Sequence, residues 1–327
     1  MDLADIFAAR RRIAPYLRRT PLVESAWLSD ATGAGVRLKL ESQQLSNSFK
    51  SRGAFNAVIS RLERGTPPQR IVTASAGNHG RALAAACERF RLPLVVFTPI
   101  DAPRTKVAAI TRHGAELRSE GRDYDDAERR ALAFARETGA EFISPYNDAD
   151  VIAGAGTIAI ELFEDAPDLD AVVVPIGGGG LISGVATAAK AIAPHCRIVG
   201  VEAEASCAFL TSVRAGTLVE IVPGQTLADG LGGNPDPETI TFAFIQTLVD
   251  GIVTVGEDDL KSAIVGLVES EHLVAEGAGA AAVAALVGNH VEIRGRQVAA
   301  LLTGSNIDRT RLAALLAGSD KPQPGDR

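Results

Sequence analysis

The chain lacks the marks of several protein classes. Cysteine is confined to Cys87, Cys196 and Cys207 in 327 residues, an odd number with no C-x-x-C pair, so neither a zinc site nor a redox pair is indicated and a reducing, cytoplasmic location is expected. No long apolar run exists: the nearest, Gly277–Val287, is Ala/Gly-rich and well short of the ~20 residues that span a bilayer. Residues 1–19 are interrupted by Asp2, Asp5 and the run Arg10-Arg11-Arg12, so no signal peptide and no membrane partner are expected. Positive charge is not in excess either. Thirty-three basic against 40 acidic side chains leave a net charge of -7, which offers no field to a nucleic-acid backbone. Repeats and low-complexity tracts are missing, apart from a Pro- and Gly-containing tail, 319–327, that reads as flexible.

What is present is an ordinary soluble balance, 46% hydrophobic and 22% charged, in a chain long enough for about two domains. Short β-branched runs alternate with longer Ala/Leu/Arg/Glu stretches, the pattern of a parallel sheet covered by helices, so the fold class is α/β. Strands are expected at 36–41, 71–75, 94–98, 171–175, 197–202, 251–255 and 297–303. Helices are expected at 51–64, 79–90, 123–138, 153–163, 181–192, 257–271 and 277–287. Glycine is abundant, at 32 residues, which points to tight functional turns.

Three segments follow expected strands or open expected helices, where open α/β sheets bind ligands. Pro175-Ile176-Gly177-Gly178-Gly179-Gly180-Leu181 leaves backbone N–H groups free to converge on an anion at the positive end of a helix. It matches neither the G-x-x-x-x-G-K-S/T loop nor G-x-G-x-x-G, although Glu202 after the following strand keeps a dinucleotide reading open. Thr73-Ala74-Ser75-Ala76-Gly77-Asn78-His79-Gly80 concentrates hydroxyl, amide and imidazole groups at a second strand end. Taken alone, Ser75 and Asn78 fit turn and capping roles equally well. Ser46-Asn47-Ser48-Phe49-Lys50-Ser51-Arg52-Gly53-Ala54 places one lysine at the start of a helix, between an aromatic residue and a glycine.

In this order and spacing, S-F-K-x-R-G-A, S-A-G-N-H-G and G-G-G-G-L resemble the fold type II family of pyridoxal 5'-phosphate enzymes, and within it the serine/threonine dehydratases (threonine ammonia-lyases) and serine racemases. The resemblance runs from about residue 6 to residue 316. It implies two open twisted, mostly parallel sheets flanked by helices, with the cofactor between a discontinuous large domain (1–61 and 148–318) and a small domain (62–147). It also implies that Lys50 forms the Schiff base with the cofactor, that Gly177, Gly178, Gly179, Gly180 and Leu181 hold its phosphate, that Phe49 lies beside the ring and that Asn78 meets its phenolic oxygen. Ser75, Ala76, Gly77, Asn78 and His79 would line the pocket for the substrate carboxylate. Leu302-Thr303-Gly304-Ser305-Asn306 is similar to the family's S-G-G-N stretch, so Thr303 would face the pyridine nitrogen, and Glu276 resembles an acidic residue at the same end of the pocket. A homodimer or homotetramer is expected.

The implied reaction is removal of water from a 3-hydroxy amino acid, giving a 2-oxo acid and ammonia, with Lys50 as the base at Cα. Serine, threonine, 3-hydroxyaspartate and a phenylserine-like compound all remain open. Racemase and β-replacement activities are the nearer rivals; a nicotinamide-dependent oxidoreductase and a non-catalytic sensor are the distant ones. Racemases of the family resemble S-S-G-N-H where this chain has Ala76. The family's cation site would use Glu202 and a carboxylate six residues on, where this chain has Ala208, so no tight Mg²⁺ or Ca²⁺ site is expected.

Overall fold

The computed structural model describes residues 1–318; the tail expected to be flexible, 319–327, lies outside the described residues. Ten strands run in chain order: β1 Leu22–Glu24, β2 Gly35–Lys39, β3 Ile71–Ala74, β4 Leu94–Pro99, β5 Glu116–Gly121, β6 Glu141–Phe142, β7 Ala171–Pro175, β8 Arg197–Ala203, β9 Gly251–Val255 and β10 Gln297–Leu301. They form two sheets. Six strands lie in the order β1-β2-β10-β7-β8-β9 and four in the order β5-β4-β3-β6. Every pairing is parallel except that of β1 with β2. Both ends of the chain build the larger sheet, and the segment between them builds the smaller.

Alternate residues of the central strands enter different cores, as the two-residue period of a strand requires. Val173, Val199, Val201 and Ala300 pack with Val283 and Leu286 of the helix Gly277–Val287. Val172, Val174, Ile198 and Leu301 face the other way, onto Ile182, Val185 and Leu162. A sheet buried on both faces accounts for runs such as Ala171–Pro175, in which all five residues are buried.

Several boundaries differ from the sequence expectation for identifiable reasons. The helix expected at 153–163 runs over Ala149–Asp165, because the Asp148 side chain accepts the Asp150 and Val151 N–H groups and so caps it earlier. The strand expected at 297–303 stops at Leu301, freeing 302–306 for the site. Strands β1, β5 and β6 were not anticipated. Two of them have three residues or fewer, and β5, Glu-Leu-Arg-Ser-Glu-Gly, is a polar strand at the edge of its sheet.

Candidate functional site

Loops at the carboxyl ends of β3 and β10 gather at the start of the helix Lys50–Glu63, and the loop after β7 approaches across Pro145 and Tyr146. Phe49 N–H donates to Thr303 O at 3.0 Å, Ser305 N–H donates to Asn47 O at 3.0 Å, and Ser48 bridges Gly304, so the segment after β10 is sewn to the residues just before Lys50. The motif glycine Gly53 has a packing role. A Cβ there would lie 2.8 Å from Val151 O, and a Cβ on Gly154 would meet the backbone of Arg52 and Gly53. The Lys50 helix is therefore pressed backbone to backbone against Ala149–Asp165, which holds its first turn in place.

Lys50 donates to Pro145 O at 2.8 Å and lies 5.0 Å from the centre of the Phe49 ring. Its other surroundings do not stabilise an ammonium, and burial lowers it to about 8. His79 is buried. Its Nε2 approaches Ile143 O at 3.4 Å while Nδ1 has no hydrogen-bond partner, and burial, with the Lys50 charge second, lowers it to about 3. The imidazole is thus neutral at working pH, and Lys50 is left as the base in this part of the site.

Asn78 is the junction of the other side. Its Nδ2 donates to Glu276 Oε1 at 2.5 Å and its Oδ1 accepts from Asn306 Nδ2 at 2.7 Å. Burial pushes Glu276 up to about 7, against the Asn78 hydrogen bond, which favours the charged form. Glu276 N–H donates to Gly304 O at 3.1 Å, and a Cβ on Gly304 would overlap the Glu276 carboxylate, so Asn78, Glu276 and Gly304 form one tight group. Thr303 is buried, with Oγ1 3.4 Å from Ala278 O. Ser75 Oγ accepts from Gly77 N–H at 3.2 Å, turning its hydroxyl back onto its own loop.

The glycine loop joins Lys50 indirectly, through Pro145 and Tyr146. A Cβ on Gly178 would overlap the Tyr146 ring, one on Gly180 would lie 2.9 Å from Tyr146 O, and Gly179 has φ +85°, where a side chain is strained. Gly180 and Leu181 open the helix Gly180–Ile192, whose first-turn N–H groups have no intrahelical acceptors. Gly177 lies against the loop at Gly230 and Leu231. Tyr146 itself is tied down by Asp236, whose N–H donates to the phenol oxygen at 2.9 Å. The sequence reading missed Tyr146, which carried no motif. The arrangement suits an anionic, aldehyde-bearing ring: a side-chain-free cradle at a helix start, an amine of lowered basicity, and polar atoms buried without protein partners, namely Ser48 Oγ, His79 Nδ1 and Ser183 Oγ.

A cleft of about 290 Å³ adjoins this group, lined by Ala76, Gly77, Asn78, Arg81, Glu276 and Asn306 among others. The residues that interrupt its polar lining with aliphatic surface are Ala76 and Ile307. Glu202, by contrast, lies away from these groups. Its carboxylate accepts the Phe209 and Leu210 N–H groups at 2.9 and 2.7 Å, serving as an external cap of the helix Ala208–Ala215, and burial pushes it up to about 7. With both oxygens engaged there, it is not placed for a ribose, which removes the footing of the dinucleotide reading.

Residues 13–304 match the family described as pyridoxal-phosphate dependent enzyme. The L-threonine ammonia-lyase of Thermotoga maritima is 41% identical over 94% of this chain and 76% of its own length. The crystal structure of a threonine deaminase from T.th. superposes with a TM-score of 0.88 at 37% identity, over 94% of this chain and 99% of that one. That of maize serine racemase superposes with a TM-score of 0.90 at 31% identity, over 97% of each.

Proposed function

The chain belongs to the pyridoxal-phosphate-dependent enzyme family, with pyridoxal 5'-phosphate as its cofactor, and from that premise we propose that it is a lyase acting on a threonine- or serine-type 3-hydroxy amino acid. Water leaves, is returned on hydrolysis, and a 2-oxo acid and ammonia result. The observation that carries this reading is the Lys50 amine, held by one carbonyl and lowered to about 8. When bound, the cofactor supplies a delocalised sink for the electron pair left at Cα. Lys50 would hold it and take the Cα proton at Nζ. Gly177, Gly178, Gly179, Gly180 and Leu181 would receive its phosphate, Phe49 would flank the ring, Asn78 would meet its phenolic oxygen beside Glu276, and Thr303 would face its ring nitrogen. A neutral threonine hydroxyl cannot hold that nitrogen as a firmly charged pyridinium as a carboxylate would, which favours elimination over transamination. The main chain of Ser75 to His79 would bind the substrate carboxylate.

The cleft's small aliphatic surface favours serine, threonine or 3-hydroxyaspartate over a phenylserine-like side chain. We also read residues 62–147 as a small domain and 1–61 with 148–318 as the large one, in a cytoplasmic homodimer or homotetramer; three free thiols agree with the location.

Racemisation needs an acid on the face of Cα opposite Lys50. Ala76 lines the cleft with a methyl group, and the Ser75 hydroxyl is engaged by Gly77. Incubating the four candidate substrates in deuterated water tests both points. Release of 2-oxo acid should far outpace formation of the deuterated Cα epimer, and Ala76→Ser should raise epimer formation. Epimer appearing as fast as ammonia from the unaltered enzyme would replace the lyase with a racemase.

The cradle makes its own prediction. Gly178→Ala forces a methyl group into the Tyr146 ring, an overpacking that costs about 1–3 kcal/mol. Cofactor affinity, followed by fluorescence titration of the full chain, should fall roughly tenfold or more; an unchanged dissociation constant would show that the loop does not hold the phosphate.

A further inference from the structure

Arg81 belongs to none of the motifs that point to the cofactor, yet it begins a chain of hydrogen bonds that ends on Glu276. Arg81 Nη1 donates to Asn306 Oδ1. Asn306 Nδ2 donates to Asn78 Oδ1 at 2.7 Å, and Asn78 Nδ2 donates to Glu276 Oε1 at 2.5 Å. Asn306 is saturated: Nδ2 also donates to Ser46 O at 2.9 Å, and Oδ1 also accepts from Asn47 Nδ2 at 3.4 Å. Both donors and both acceptor positions of the amide are used. Among the described residues Arg81 makes no ion pair, so its charge is directed to this neutral amide.

A carboxamide can present either end, and only neighbours with a single polarity decide which. A guanidinium can only donate, so Asn306 must turn its oxygen to Arg81. The Ser46 carbonyl can only accept, which fixes the same orientation from the other side. Asn78 therefore receives an N–H, must offer its oxygen in return, and is left with its NH₂ on Glu276. We propose that Arg81 is a positioning residue: through Asn306 it fixes the Asn78 amide with its N–H end toward Glu276, keeping that carboxylate an acceptor and leaving the second Asn78 N–H for a bound group. Its kinetic meaning rests on the function proposed above, but the amide orientation does not.

The charges facing Glu276 come from three elements. Asp229 opposes ionisation, while Lys106 and Arg81 favour it; Lys106 is paired with Asp229 at 2.7 Å. Arg112 faces Arg81 as a like charge. If the Asn78 amide turned over, its oxygen would oppose the Glu276 oxygen, and the contact would survive only with Glu276 protonated. Loss of Arg81 should therefore raise the pH at which Glu276 ionises.

The test uses the full chain carrying ¹⁵N-asparagine and ¹³C-glutamate, with Asn78→Asp, Asn306→Asp and Glu276→Gln variants to assign the resonances. In the unaltered protein the Asn78 and Asn306 side-chain N–H groups should exchange at least about tenfold more slowly than those of exposed Asn289. Arg81→Met should lower that protection several-fold, the Ser46 carbonyl alone holding the amide less firmly than it does with the charged donor opposite, and raise the Glu276 midpoint by about one pH unit, and Arg81→Lys should recover part of both. Asn306→Asp provides a second route should Arg81→Met fail to fold. A carboxylate at 306 draws the Asn78 NH₂ away from Glu276, and the midpoint should rise similarly. A variant in which Asn78 and Asn306 amide exchange stays unchanged overturns the proposal, whether or not it melts earlier and even if the Glu276 midpoint rises, because loss of the Arg81 charge alone raises that midpoint. Normal amide protection in a protein that releases no 2-oxo acid would sink the proposed function and leave this inference standing.

Discussion

Lys50→Ala is expected to lower kcat by about 10²- to 10⁴-fold, the range of a lost general base, and to remove the visible absorption of lysine-bound cofactor. The choice among lysines is physical. Lys39 is also buried, and burial lowers it, but its amine is held 2.6 Å from Glu161 and 2.7 Å from Thr20 O, and the Glu161 charge opposes that lowering. Lys106 and Lys190 are paired with Asp229 and Asp250 at 2.7 Å, and among the described residues Lys261 reaches Gly318 O. Among the described lysines, Lys50 alone couples burial with the absence of a carboxylate partner, which leaves desolvation unopposed and brings it to about 8. At pH 7 that shift raises the neutral fraction about 300-fold over an ordinary lysine. The sign follows directly: only the neutral amine accepts a proton, so activity should climb with pH through about 8 and then level. Borohydride reduction should leave the cofactor on the peptide carrying Lys50. Label on the Lys39 peptide, or a Lys50→Ala enzyme with ordinary turnover, would remove the basis of the assignment.

The strands and helices that were legible in the sequence are those whose burial is local. Gly251–Val255, Glu257–Glu271 and Gly277–Val287 fall at the expected residues, because β-branched runs and helical periodicity mark them directly. Strand β5 was not legible, since a polar edge strand paired on one side presents no apolar repeat. The site divides in the same way. Lys50, Asn78 and the glycine loop stand in compact motifs. Tyr146, Arg81 and Asn306 act through partners distant in sequence, Asn306 lying 228 residues from Asn78, and a tyrosine after a proline or an arginine on a helix gives no local sign of such a partner.

The same limit hid the buried charges beneath the site, which yield the largest expected change in stability. Arg52 lies two positions after Lys50, about 200° further around the helix, so the two side chains leave opposite faces. Lys50 turns toward Pro145. Arg52 turns inward and is 1% exposed. Its Nε and Nη2 each donate to Glu41 at 2.8 Å, and Nη1 and Nη2 donate to Glu161 at 2.7 and 2.9 Å. Lys39 donates to the same Glu161, and Thr20 Oγ1 donates to Glu41 at 2.5 Å. Two cations thus balance two carboxylates in a site closed to water, and the Arg52 and Lys39 contacts hold Glu161 below the usual carboxylate range against the opposing effect of burial. Arg52→Ala leaves two buried carboxylates facing one ammonium. Breaking such a pair costs about 3–5 kcal/mol, so the thermal midpoint should fall by several degrees and activity should fall with it, since the first turn that carries Lys50 loses its anchor. A Glu161 whose folded pKa is depressed stabilises the protein above its unfolded value and loses that contribution as pH falls through the folded value. The unaltered enzyme should therefore lose part of its stability below about pH 4.5, and Arg52→Ala should show a smaller loss over that range. Combining Arg52→Met with Glu41→Gln leaves Lys39 and Glu161 as one balanced pair and should recover much of the midpoint. An Arg52→Ala protein that melts with the unaltered enzyme would mean that water reaches these carboxylates and that the cluster does not hold the Lys50 helix.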